Sequence, residues 1–114
     1  MTNDRIDRDT TATLVVVARL LTHAARRAWA QAEAEGPGSP LHQLGLGIHI
    51  AYCHALEMLP IETDMEGPTP TQDDVTELLR AAEELTRSIP ILAETAGISP
   101  LVMAICDLVR EGTP

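Results

Sequence analysis

Residues 69–89 read TPTQDDVTELLRAAEELTRSI, and this stretch decides the fold. Val75, Leu78, Leu79, Ala82, Leu85 and Ile89 recur every three or four residues. That spacing places them on one face of an α-helix. Glu77, Arg80, Glu83, Glu84 and Arg87 fall on the other side, where Arg80–Glu84 and Glu83–Arg87 stand one turn apart. Thr69-Pro70 reads as the start, because proline's missing N–H is harmless in the first turn and the hydroxyl before it can cap a free donor. Gln72, three residues after Thr69, completes the pattern of a capping box. The expected helix runs from about 70 to 89.

The same start signal recurs at Ser39-Pro40 and Ser99-Pro100, with Asp9 in the same phase. Gly36, Gly67 and Gly112 each follow a glutamate and are candidates to close the preceding segment in the left-handed conformation. Four helices follow, at about 9–35, 40–59, 70–89 and 100–111, with a further helical turn at Ile91–Ala96. Pro60-Ile61 and Pro90-Ile91 share the spacing, but the second and third helices have little in common beyond Ala51 and Ala81. Equal helix length explains the period better than internal duplication. No segment alternates apolar and polar residues long enough for a strand. The expected fold is an all-α, four-helix up-down bundle with short connections, residues 1–8 forming a charged tail and 9–114 a single helical domain.

Composition narrows the function classes. A chain of 114 residues supports one core. It contains no Phe and no Lys, and Trp29 and Tyr52 are its only aromatic residues. Ala and Leu favour helices where strands prefer β-branched and aromatic side chains. Seventeen acids against eight arginines give a net charge of −9, which repels phosphate backbones and anionic lipid. A nucleic-acid or membrane partner is therefore not expected. The apolar run Leu14–Leu21 is too short to span a bilayer. Cys53 and Cys106 form no C-x-x-C pair and, set among apolar helical neighbours, read as buried, reduced thiols, so a cytoplasmic location is the expectation.

Two helices carry features beyond a simple core stripe. In the first, Leu14, Val17, Ala18, Leu21, Ala25, Ala28 and Ala32 form the inward face, while Val15, Val16 and Leu20 add apolar surface on other sides. Either this helix is central or a second chain covers it, so Val15, Val16 and Leu20 are the candidate interface of a homodimer. The second helix puts Leu41, Leu44, Ile48, Ala51, Tyr52, Ala55 and Leu59 on one side. Gly45 and Gly47 within it cost roughly 1 kcal/mol each relative to Ala. They make room for a close backbone approach by another helix or by a ligand.

Chemistry-bearing residues gather on the second helix. His42, His49 and Cys53 share a flank that Glu57 continues, and imidazole with thiolate suits a transition metal. Only His49 and Cys53 are one turn apart, since His42 lies about 10 Å further along the axis. The pair needs further ligands, such as His23, so neither a complete metal site nor a cofactor is expected. Neither H-E-x-x-H nor the Glu-x-x-His of di-iron bundles is present. Cys53 lacks oxyanion donors, because amides in the middle of a helix are already bonded. No catalytic residue is assigned.

Residues 92–112 resemble a helix-turn-helix segment, with Ala93, Gly97 and Ile98 in the places of the small residue, the turn glycine and the apolar residue after it, and Met103 and Cys106 facing inward. The resemblance implies a DNA-reading role for Ser99, Pro100, Leu101, Ala104 and Ile105. Those side chains offer almost no hydrogen-bond donors and no positive charge.

The sequence thus points to a non-catalytic bundle that works through protein–protein association as a homodimer. One alternative is a bundle binding a small apolar ligand, or a metal at His49 and Cys53, with its pocket lined by Trp29, Gly45, His49, Tyr52 and Cys53. The other is a degenerate helix-turn-helix regulator, which requires Arg19, Arg26, Arg27 and Arg110 to share a basic stripe.

Overall fold

The computed structural model describes residues 3–59, 63–65, 67, 69–89 and 98–112. They form four helices, α1 (Asn3–Glu35), α2 (Leu41–Glu57), α3 (Val75–Arg87) and α4 (Ile98–Gly112), packed as the expected all-α bundle. At about 1.5 Å per residue, the 33-residue α1 sets the 52 Å long dimension of the molecule.

Each helix end has a local cause. Gly36, at φ +100°, follows α1 in the conformation that only glycine adopts cheaply, and its N–H reaches the Ala32 carbonyl at 2.9 Å. Ser39 Oγ accepts from the Leu41 N–H at 3.2 Å at the start of α2, as its Ser-Pro signal implies. The third start differs from expectation. Thr69 and Pro70 lie outside the helix, and Asp74 caps α3 by accepting from the Glu77 N–H at 3.0 Å. A carboxylate at this position also meets the positive end of the helix dipole, which a threonine hydroxyl does not. α1 begins at Asn3 rather than near Asp9, and α4 at Ile98 with Ser99-Pro100 inside its first turn. The expected turn at 91–96 lies outside the described residues.

α1 packs against α2 and α3, and α4 packs against the same two helices from the opposite corner. Among the described residues α2 and α3 sit diagonally, as do α1 and α4, with no close backbone approach within either pair. Met65, Gly67 and Asp73 meet α1 successively nearer its C-terminal end, so the chain returns and α3 starts at the end of the bundle where α2 began. The four contacting pairs run antiparallel, but α2 and α3 run in the same direction at opposite corners, unlike the consecutive antiparallel neighbours of the expected up-down order. Arg19 anchors the return, donating to the Met65 and Gly67 carbonyls at 2.6 Å each. Arg27 Nε donates to the Asp73 carbonyl at 3.4 Å, and His23 Nε2 lies 3.6 Å from the Asp73 carboxylate.

The core is aliphatic. Val17 and Leu21 of α1, Ile48 of α2, Leu78 and Leu79 of α3, and Leu101 and Ile105 of α4 are fully buried. Alanine fills much of the rest, with Ala18, Ala24, Ala25, Ala28 and Ala32 buried along α1 alone. Small side chains let α1 serve two neighbours, and this explains its wide apolar arc. Leu20, expected on an outward interface, is buried at 6% exposure in that arc.

Capping provides a direct check on where α3 begins. Asp74→Ala is expected to lower stability by about 1 kcal/mol, and Thr69→Ala to change it by less than about 0.5 kcal/mol. Urea titration followed by circular dichroism measures both, and the opposite order would place the start at Thr69.

Candidate functional site

α2 is the unusual helix. From Leu41 to Leu56 it contains no Asp, Glu or Arg, although the chain carries 25 such charges. Leu44, Ile48, Ala51 and Ala55 face the core. Leu46 and Ile50, one turn apart on the opposite side, are 55% and 61% exposed, and Cys53 and His42 are exposed on the same outer face. Sequence reasoning assigned the inward stripe of α2 and passed over Leu46 and Ile50. The charge-free run of sixteen residues is the signal that would have found them, since a surface helix normally has a charged back.

The residues expected to line a ligand pocket do come together. Trp29 of α1 lies across Gly45, and a Cβ there would stand 2.6 Å from indole Cδ1 and against Nε1. The space that Gly45 opens is therefore taken by Trp29. His49 follows one turn on, its ring 5.7 Å from Trp29 and 5.8 Å from Tyr52 by centroids. Its Nε2 is 3.7 Å from Cys53 Sγ. Gly47 faces α4 instead, where a Cβ would meet Leu108 Cδ2 at 2.9 Å. A cleft of about 430 Å³ opens elsewhere, at the end of the bundle, lined by Gln31, Leu41, Gln43, Asp74, Thr76 and Glu111 among others.

The expected α1 interface does not form one surface. Val15 is half-buried, Leu20 is in the core, and Val16 is exposed alone. Among the described residues no three His, Cys, Asp or Glu side chains converge as a metal cluster within the chain, and the buried His23 Nε2 has no hydrogen-bond partner, its neighbour being the Asp73 carboxylate at 3.6 Å. No described helix is long and apolar enough to cross a membrane.

The arginines do not line up as a basic stripe. Arg19 and Arg27 bind carbonyls of the 58–74 connection, and Arg110 lies on α4, 3.8 Å from Asp107. Leu101 and Ile105, two of the positions that would read bases, are buried, and Met103, expected to face inward, is exposed, so α4 is turned the opposite way from that resemblance. Ala93 and Gly97 of the helix-turn-helix resemblance lie outside the described residues.

The two thiols are not both buried as expected: Cys53 is exposed, because the outer face of α2 is uncovered, and Cys106 is partly covered by α3. The Glu83 carboxylate accepts a hydrogen bond from Cys106, and desolvation and the negative charge of Glu83 add to its effect, holding this thiol above its ordinary pKa. Arg87 and Arg110 oppose the shift without cancelling it.

No protein-family model, curated protein or solved structure matches this chain. The functional reading therefore rests on its own residues.

Two expectations follow from these contacts. Gly45→Ala gains helix propensity but drives a methyl into the indole, so it is expected to destabilise by about 1–2 kcal/mol and shift Trp29 emission to the red. Gly47→Ala meets only the mobile end of Leu108 and is expected to be neutral or stabilising; thermal melts with fluorescence decide. For the thiols, Glu83→Gln removes the acceptor charge that favours the neutral form. Alkylation of Cys106 in a Cys53→Ser background should then accelerate at a given pH, its rate–pH curve moving to lower pH. An unchanged curve would exclude Glu83 as the cause.

Proposed function

We propose that this protein is a non-catalytic helical bundle that works by self-association through the outer face of α2. The observation that carries the reading is electrostatic. Two copies of a chain with net charge −9 repel one another over most of their surfaces. Leu46, Ile50 and Cys53 form a face with no charged side chain between Leu41 and Leu56, and contact there avoids burying an unpaired carboxylate. The other large exposed apolar residues of α1 and α4 are Val16, Trp29 and Met103. Val16 and Met103 stand singly with Arg19 and Asp107 within a turn, and Trp29 is committed to Gly45, whereas Leu46 and Ile50 adjoin each other and the nearest charge on their face is Glu57 at the end of α2.

Size sets the strength. α2 is about 25 Å long, and one face of a helix roughly 10 Å wide covers on the order of 250 Å². A stable complex usually buries about 800 Å² per partner. Apolar contact through α2 alone therefore supports a weak, concentration-dependent dimer. Small-molecule binding at the same cluster has less support, because Trp29 itself occupies the space beside Gly45.

Sedimentation equilibrium of the reduced chain in chelator, from micromolar to millimolar concentration, tests this reading. Mass should rise toward twice the monomer with concentration. The double variant Leu46→Glu, Ile50→Glu should remain monomeric with an unchanged circular dichroism spectrum, because both side chains are exposed. Val16→Glu should dimerise like the parent. A dimer that survives the α2 variant and dissolves with Val16→Glu would move the interface to α1.

A further inference from the structure

We propose that His49 and Cys53 form half of a tetrahedral zinc-type site that a second copy of the chain completes across α2. This rests on the α2 self-association reading and adds a ligand to it. Zinc binds imidazole nitrogen at about 2.0–2.1 Å and thiolate sulfur at about 2.3 Å, usually with four ligands in a tetrahedron. Those lengths at a tetrahedral angle separate the two donor atoms by about 3.5–3.6 Å. His49 Nε2 and Cys53 Sγ are 3.7 Å apart, so one edge of the tetrahedron is already in place.

Three features make this pair a half-site. First, it lies on the outer part of α2, where Cys53 is exposed, so an ion held there keeps coordination positions facing away from the bundle. Second, no third ligand is available from the described residues of the same chain. Third, the ring of His49 has Trp29 and Tyr52 as tilted ring neighbours, with centroids 5.7 and 5.8 Å away, and its Nε2 is the ring nitrogen nearest the sulfur. A twofold axis passing between two α2 helices at this level brings a second His49 and Cys53 to the ion, giving two nitrogens and two sulfurs. The ligand class is thus a borderline-soft divalent cation that accepts four-coordinate geometry.

The chemistry is coordination alone. Each Cys53 thiol releases its proton to solvent as its sulfur binds the cation, and no electron is transferred. The two thiolates cancel the charge of the ion, and the nearest other charge on this flank is Glu57, one turn beyond Cys53. The bridge also supplies what the small apolar area lacks, since four metal–ligand bonds hold the two chains together.

Cobalt(II) titration of the full-length, metal-free chain, kept reduced throughout, tests the proposal with spectroscopy and mass on the same sample. The expected result is thiolate-to-cobalt charge transfer and the visible bands of tetrahedral cobalt. Both should saturate at one ion per two chains, with the mass doubling at a concentration where the chelated protein is monomeric. Zinc should displace cobalt without changing the mass. Cys53→Ser and His49→Gln should each abolish the bands and the metal-dependent dimer while retaining the helical circular dichroism spectrum. Saturation at one ion per chain with no change in mass overturns the proposal, as do tetrahedral bands unaffected by Cys53→Ser. A dimer in chelator that takes up no cobalt removes the metal site and leaves the α2 interface standing. A chain that is monomeric at millimolar concentration, with and without metal, removes both.

Discussion

The contact of the Trp29 indole with the bare backbone at Gly45 is the constraint on which the rest of α2 depends. It lets α1 and α2 approach closely and fixes the rotation of α2 about its own axis. With Gly45 against the indole, Leu44, Ile48, Ala51 and Ala55 turn inward and Leu46, Ile50 and Cys53 turn out. The same indole borders His49, whose other neighbour is Tyr52, so the only two aromatic residues of the chain hold one imidazole between them. A chain without phenylalanine thus places its large rings at the edge of the bundle and leaves the centre to aliphatic side chains.

Charge is distributed with the opposite logic. α3 carries Glu77, Arg80, Glu84 and Arg87 along a solvated back, while Glu83, expected there too, is largely covered, facing Cys106 of α4 with Arg87 3.5 Å away. Arg19 and Arg27 are directed at the Met65, Gly67 and Asp73 carbonyls, holding those residues against α1 rather than facing a polyanion. α2 departs from this pattern, since its outer face carries no Asp, Glu or Arg before Glu57, and that stretch is where a −9 chain can meet its like at least electrostatic cost.

Much of the architecture was legible in the sequence, and each failure has a physical source. The apolar period of α3 identified its core face, because Val75, Leu78, Leu79 and Ala82 are all buried. Its start was misplaced because Thr69-Pro70 and Asp74 carry rival signals, and tertiary anchoring by Arg19 and Arg27 holds the residues before Asp74 out of the helix. The excess of apolar residues on α1 was visible, but sequence cannot tell a helix that packs two neighbours from one that meets another chain. Leu20 falls on the first side of that choice. Trp29, Gly45, His49, Tyr52 and Cys53 were grouped by helical spacing and by the expected antiparallel pairing of two helices. That the tryptophan itself fills the gap at Gly45 depends on a side-chain rotamer, which no spacing encodes.

The central claim is that two copies meet through the outer face of α2. Isotope-filtered nuclear Overhauser measurements on a mixture of labelled and unlabelled reduced chains address it most directly, because they report only contacts between chains. The account predicts intermolecular signals from the methyls of Leu46 and Ile50 to the same helix of the other copy, and none from Val16. Signals that connect Val16 or Met103 across chains, with Leu46 and Ile50 silent, would contradict it.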